Sequence, residues 1–413
     1  MGNLIFKFLT EDIRIPPRRF VAVTFVTSGI LAWFFLLEVY FVDIFSSFTG
    51  SPFWVFIGEA TFFGFSAFSA VIGSGISEKV NRRKLLWSSI TLGVLTTASL
   101  AVFQGIVFSL LSSVLLGISL GLGFPCSTAL LADCTVVEER ARVSGIIVLE
   151  TFIMVSLAAT VVSLLSFGLI GVILLCVVLR STSFLALTLD HCEREKGKEG
   201  SWRSILAYKD FVFYLFPWIM FNMASGLVSF VWLGLQSPDY ATAFRIAVPL
   251  RYAGAAIFGL ISGVVADRVG RKQPIIIGLV MLGVSFAFLG LATSPLSVLV
   301  YLTISGTAWG GFMVIYLAVL GDLAFSGSKE KFYALGMGIP LIIYMSLSSI
   351  PTALGIGAPA NAISPVLSII LFLSVIPILY ASETLPETKM RERRLREHVR
   401  KVGKLVEESR KTD

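Results

Sequence analysis

Along the chain, apolar runs of about twenty residues alternate with short polar segments. They fall near 20–44, 54–76, 85–104, 107–131, 143–165 and 169–189, then near 211–235, 246–266, 274–292, 296–321, 332–354 and 361–381. Each is long enough to cross a hydrocarbon core of about 30 Å as a helix, and too continuous for barrel strands, which alternate in segments of about ten residues. The pattern predicts an all-α integral membrane protein with 12 transmembrane helices in two six-helix bundles. Its parts are an N-terminal lead (1–19), a first bundle (20–189), a linker (190–210), a second bundle (211–381) and a basic tail (382–413). In the linker, Trp202, Ile205 and Leu206 suit a short helix lying on the bilayer surface, and the tail sets Leu395, Val399 and Val402 at helical spacing.

The two bundles are related in sequence. Gly263 to Lys272 reads GVVADRVGRK, and Ser74 to Arg83 reads SGISEKVNRR, with Arg82 and Arg271 189 positions apart. The same offset carries Gly117 and Gly121 onto Gly306 and Gly310, and slips to 191 where Glu139 and Gly145 meet Glu330 and Gly336. A tandem duplication follows, with the halves related by a pseudo-two-fold axis.

Charge sets the orientation. Of the 33 Lys and Arg, 30 fall in the lead, the tail and every second connection, which places both termini in the cytoplasm, and a multi-pass protein of the plasma membrane is expected. The net charge of +7 therefore reads as topology, with no nucleic-acid partner. At 56% hydrophobic and 14% charged residues, the chain has too little polar surface for a soluble fold. The four cysteines form no disulfide or metal framework, and no phosphate-binding loop is present, so neither a cofactor nor ATP is expected.

The loop G-x-x-x-D-R-x-G-R-K between the second and third spans of a half resembles the signature of the major facilitator superfamily. Gly263, Asp267, Arg268, Gly270, Arg271 and Lys272 match it fully. In the first half Glu78, Lys79, Arg82 and Arg83 keep the charges, while Ser74 and Asn81 replace the glycines. The resemblance implies that Asp267 reaches the start of span 5 and Glu78 the start of span 11, carboxylate against helix end, in one conformation only. After span 4, Asp133, Glu139, Arg140 and Arg142 are similar to a further cluster of that family, with Asp322 and Glu330 as counterparts after span 10. Together these charges are expected to form an inner network.

Charged groups inside spans cost about 2.5–3.5 kcal/mol each and so need a partner, water or a function. Glu150 and Arg180 lie at matching depths, roughly 12 and 15 Å from the inner face, and form a candidate pair. Glu38 and Arg251 lie roughly 24–27 Å from it. Glu38, Glu150 and Arg251 are candidates for binding substrate or carrying a proton. Asn222, Trp309 and Tyr344 are further candidate contacts at mid-depth.

The resemblance implies a secondary active or facilitative transporter that moves a small organic solute by alternating access, with protons as a candidate coupling ion. It is expected to work in the lipid bilayer as a monomer. A receptor or a lipid scramblase of the same fold is the alternative. No cluster of His, Cys or Asp of catalytic type speaks for an enzyme.

Overall fold

The computed structural model describes residues 13–77, 79–164, 168–188, 200–235, 238–291 and 294–387, together with 395, 399 and 402. Every regular element among the described residues is a helix. In the first half these are α1 (Pro17–Thr49), α2 (Pro52–Ile76), α3 (Arg82–Ser99), α4 (Ile106–Cys134), α5 (Val137–Leu164) and α6 (Leu169–Thr188). The short α7 (Trp202–Leu206) lies in the linker. The second half contains α8 (Lys209–Leu227), α9 (Ser229–Gly234), α10 (Pro238–Val269), α11 (Lys272–Leu291), α12 (Pro295–Leu323), α13 (Lys329–Leu354), α14 (Ala360–Leu373) and α15 (Val375–Tyr380). α8 with α9 makes one crossing, and α14 with α15 another. The result is twelve crossings in two six-helix bundles.

Several helices outrun the apolar stretches that predicted them, because a helix ends where its capping chemistry ends it and not at the edge of the hydrocarbon. α1 starts at Pro17, whose missing N–H costs nothing at a first position, and stops at Gly50, which takes φ 63°. α3 begins behind Asn81, whose side chain accepts the Arg83 N–H at 2.9 Å.

The repeat reappears as packing. Gly117 and Gly121 of α4 lie against the carbonyls of Phe62 and Ser66 on α2, and a methyl group at either would collide with them. Gly306 and Gly310 of α12 lie in the same way against Arg251 and Ala255 of α10. Small residues here let backbones approach closely where no hydrophobic effect drives association between helices. A third close approach joins the halves: Gly263 of α10 abuts the carbonyl of Ala141 on α5.

The linker helix packs against the protein. Ile205 is fully buried and Lys331 Nζ stands 5.5 Å from the centroid of Trp202, so α7 docks on the second half, leaving Leu206 exposed. Gly200 fastens its start, donating its N–H to Ser328 Oγ at 2.6 Å and accepting from Lys331 Nζ at 3.0 Å.

Candidate functional site

The two halves meet around a central cavity of about 160 Å³. α1, α2 and α4 line it from one side, and α8, α10, α12 and α13 from the other. At the end of the molecule away from the basic connections it adjoins a larger vestibule of about 610 Å³, whose wall includes Ser46, Gly50 and Glu59. Glu38, Tyr344 and Met345 belong to both spaces and mark the passage between them.

Glu38, Asn222, Arg251, Trp309 and Tyr344 line the cavity, and Glu150 does not. Glu38 and Arg251, from opposite halves, are close enough to interact electrostatically, but no ion pair joins them. Tyr252, Tyr301 and Tyr344 stand around Arg251. Arg251 owes its place to Gly306, where a Cβ would lie 2.8 Å from its Cγ. Trp309 packs edge-on to Phe35, ring centroids 5.2 Å apart, and Asn222 donates to the Trp218 carbonyl one turn back at 2.8 Å.

The expected pairing of Glu150 with Arg180 is not present. Arg180 is fully buried inside the first half, its guanidinium 4.6 Å from the Trp33 ring and hydrogen-bonded through Nη2 to Ser89 and Ser119 Oγ at 3.1 and 3.0 Å. Glycines make its room: a Cβ at Gly93 would stand 2.8 Å from Nε. Glu150 instead packs beside Ser28 and Thr24 of α1, with one carboxylate oxygen buried and unpartnered. Equal depth put the two charges on one level of the bundle but said nothing of azimuth. They face different neighbours.

At the basic end the cavity is shut by ion pairs that cross between the halves. Asp133 of α4 accepts from Arg82 Nη1 at 2.6 Å and from Lys329 Nζ of the second half at 2.6 Å. Asp322 of α12 pairs with Arg271 Nε at 3.0 Å and with Arg140 of the first half. These trios are copies, since each member of the second lies 189 positions from its counterpart in the first. Glu330 adds a crossing contact to Arg82, 2.7 Å from Nε. Its expected counterpart Glu139 does something else, accepting the backbone N–H of Arg14 at 2.6 Å and of Val136 at 3.2 Å. The slip to 191 is thus a likeness of letters, and contacts keep the 189 register.

Asp267 reaches the first turns of α5. Its carboxylate accepts the N–H of Ala141 at 3.2 Å and of Arg142 at 2.9 Å, Arg142 Nε at 3.1 Å and Arg271 Nη1 at 2.7 Å. Burial alone would lower the Arg271 pKa, but Asp322 and Asp267 hold it above the ordinary arginine range. Arg271 also donates to the Val137 carbonyl at 2.6 Å, and Lys272 Nζ to those of Leu379 and Ala381 at 3.0 and 2.8 Å. Arg83 donates to the Leu187 carbonyl at 3.1 Å, Lys79 is exposed, and Arg268 is half-buried at the end of α10. Glu78 lies outside the described residues.

Two residues of this closure were not singled out from the sequence. Lys329 is one, legible in retrospect as the residue 189 positions after Arg140. Glu383 is the other. It accepts the N–H groups of Arg271 and Lys272 at 2.7 and 3.2 Å, across the turn where Gly270 takes φ 114°. Beside it, Thr384 donates to Asp322 Oδ2 at 3.2 Å. No repeat or motif marked Glu383.

Twelve crossings in two bundles around a cavity at their interface define a multi-pass membrane transporter. The family model of the Major Facilitator Superfamily matches residues 20–339, and the chain belongs to that family. Among solved structures, the human organic anion transporter MFSD10 (TETRAN) is similar with a TM-score of 0.70 and 17% identity, over 88% of this chain and 100% of that one. The proton:xylose symporter XylE is similar with a TM-score of 0.69 and 13% identity, over 88% of this chain and 96% of that one. No curated protein sequence matches at a significant level.

Proposed function

We propose that the protein carries a small organic solute across the membrane by alternating access, residues 20–189 and 211–381 being the two bodies that rock. One observation carries this reading. The central cavity is bolted at the basic end by ion pairs between the halves and, through Glu38, Tyr344 and Met345, adjoins a vestibule at the other. The basic end is read as cytoplasmic, from the distribution of Lys and Arg, so the conformation is open outward. Solute enters by the vestibule, settles in the cavity, and leaves when the halves rock and the inner ion pairs part.

The test is uptake into proteoliposomes, with solutes chosen by a thermal-shift screen and with and without an imposed pH gradient. Uptake that saturates and is accelerated by solute on the far side supports a carrier. Accumulation driven by the gradient adds a coupled proton, with Glu38 the carboxylate in the cavity to substitute first. Binding without movement of any solute would favour a receptor and overturn transport.

A further inference from the structure

We propose, building on the carrier reading, that the cavity takes a small zwitterion, an ammonium and a carboxylate side by side on an apolar body about the size of one ring. Glu38 and Arg251 face the same space from opposite halves, both half-buried, with no ion pair between them. A purely anionic solute would meet Arg251 and set its charge against Glu38. A purely cationic one would do the reverse. Where water is displaced, an unmatched charge is costly, so the favoured ligand answers both at once.

Size and lining limit the rest of the molecule. The cavity of about 160 Å³ is close to the volume of roughly 150 Å³ that admits benzene in an apolar protein interior, so it seats the ring while the charged end extends past Glu38 toward the adjoining vestibule. Phe35, Trp309, Met313 and Met337 offer flat and adaptable apolar contact for such a body. Tyr252 and Tyr344, beside Arg251, carry hydroxyls able to donate to a carboxylate held there. Glu38 stands at the passage to the vestibule, with Glu59 farther out, so the mouth offers carboxyl oxygens as acceptors to the ammonium end.

Three probes with one ring in common separate the possibilities: L-phenylalanine, phenylpropionate, which lacks the amine, and phenethylamine, which lacks the carboxylate. Binding to the purified full-length protein is measured by calorimetry. Phenylalanine is expected to bind about tenfold or more tightly than either, the worth of one charge-assisted hydrogen bond. Glu38→Gln should abolish its preference over phenylpropionate, and Arg251→Gln its preference over phenethylamine. Phenylpropionate or phenethylamine binding as tightly as phenylalanine to the unmodified protein, or none of the three binding, overturns the assignment. Spin labels at Lys84 and Ser326, exposed at the basic end on opposite halves, read the rocking motion separately. A protein that rocks but binds no probe loses the zwitterion and keeps the carrier reading. One that binds phenylalanine and never rocks keeps the ligand and loses transport.

Discussion

Asp267→Asn tests the closure at the basic end most directly. The carboxylate serves two arginines, Arg142 of the other half and Arg271 of its own, and two backbone N–H groups, both of the other half, all buried. Asparagine is nearly isosteric, but its amide nitrogen must face a donor that the carboxylate had satisfied, and the charge opposite Arg142 and Arg271 is gone. Removing one partner of a buried ion pair costs about 3–5 kcal/mol. The lower end and somewhat less applies here, because Arg271 keeps Asp322 at 3.0 Å and Arg142 Nη2 keeps the Glu138 carbonyl at 3.4 Å. A loss of about 2 kcal/mol falls on the closed form alone, since parting of the halves would hydrate these groups, and it shifts the conformer ratio roughly 30-fold toward opening at the basic end. Double electron–electron resonance between labels at Lys84 and Ser326 measures that shift as growth of a longer-distance population. An unchanged distance distribution, with the protein still folded, would refute the argument that Asp267 holds the halves together.

Further outcomes follow from the same contacts. A raised pKa on a base means that the fold favours its charged form, so the contribution of Arg271 is complete below the ordinary arginine value and is lost only as pH climbs through its higher folded one. The label distances should therefore stay fixed from about pH 7 to about pH 9, and opening within that window would contradict the assigned pairing. A double-mutant cycle with Glu150→Ala and Arg180→Ala should give a coupling below about 0.5 kcal/mol in thermal unfolding, since no ion pair links them; a coupling above about 1 kcal/mol would restore the pair. Gly270→Ala should lower the melting temperature and populate the open form, because φ 114° strains any side chain and its Cβ would stand 2.5 Å from Glu383 Oε2. A neutral result would show that the turn yields easily.

The crossings were legible because membrane solvent imposes a length and a composition that few other folds satisfy. The repeat was legible because duplicated glycines and a duplicated charged loop answer the same packing problem twice, as Gly121 against Ser66 and Gly310 against Ala255 do. Azimuth was not. Depth along a helix can be counted from sequence, but the side from which Arg180 meets Ser89 and Ser119 depends on how α3, α4 and α6 are rotated. Glu383 escaped notice for a related reason. It acts through backbone N–H groups 111 and 112 residues away, and such a partner has no letter in the sequence.

Each ion trio borrows a cation from the opposite half, Lys329 for Asp133 and Arg140 for Asp322. A rigid rotation of one half against the other draws both borrowed cations away from their carboxylates, so the two trios belong to one closure. An intermediate ajar on one flank gains no hydration for the other and has little to stabilise it. On the carrier reading proposed above, passage is then counted in whole turnovers.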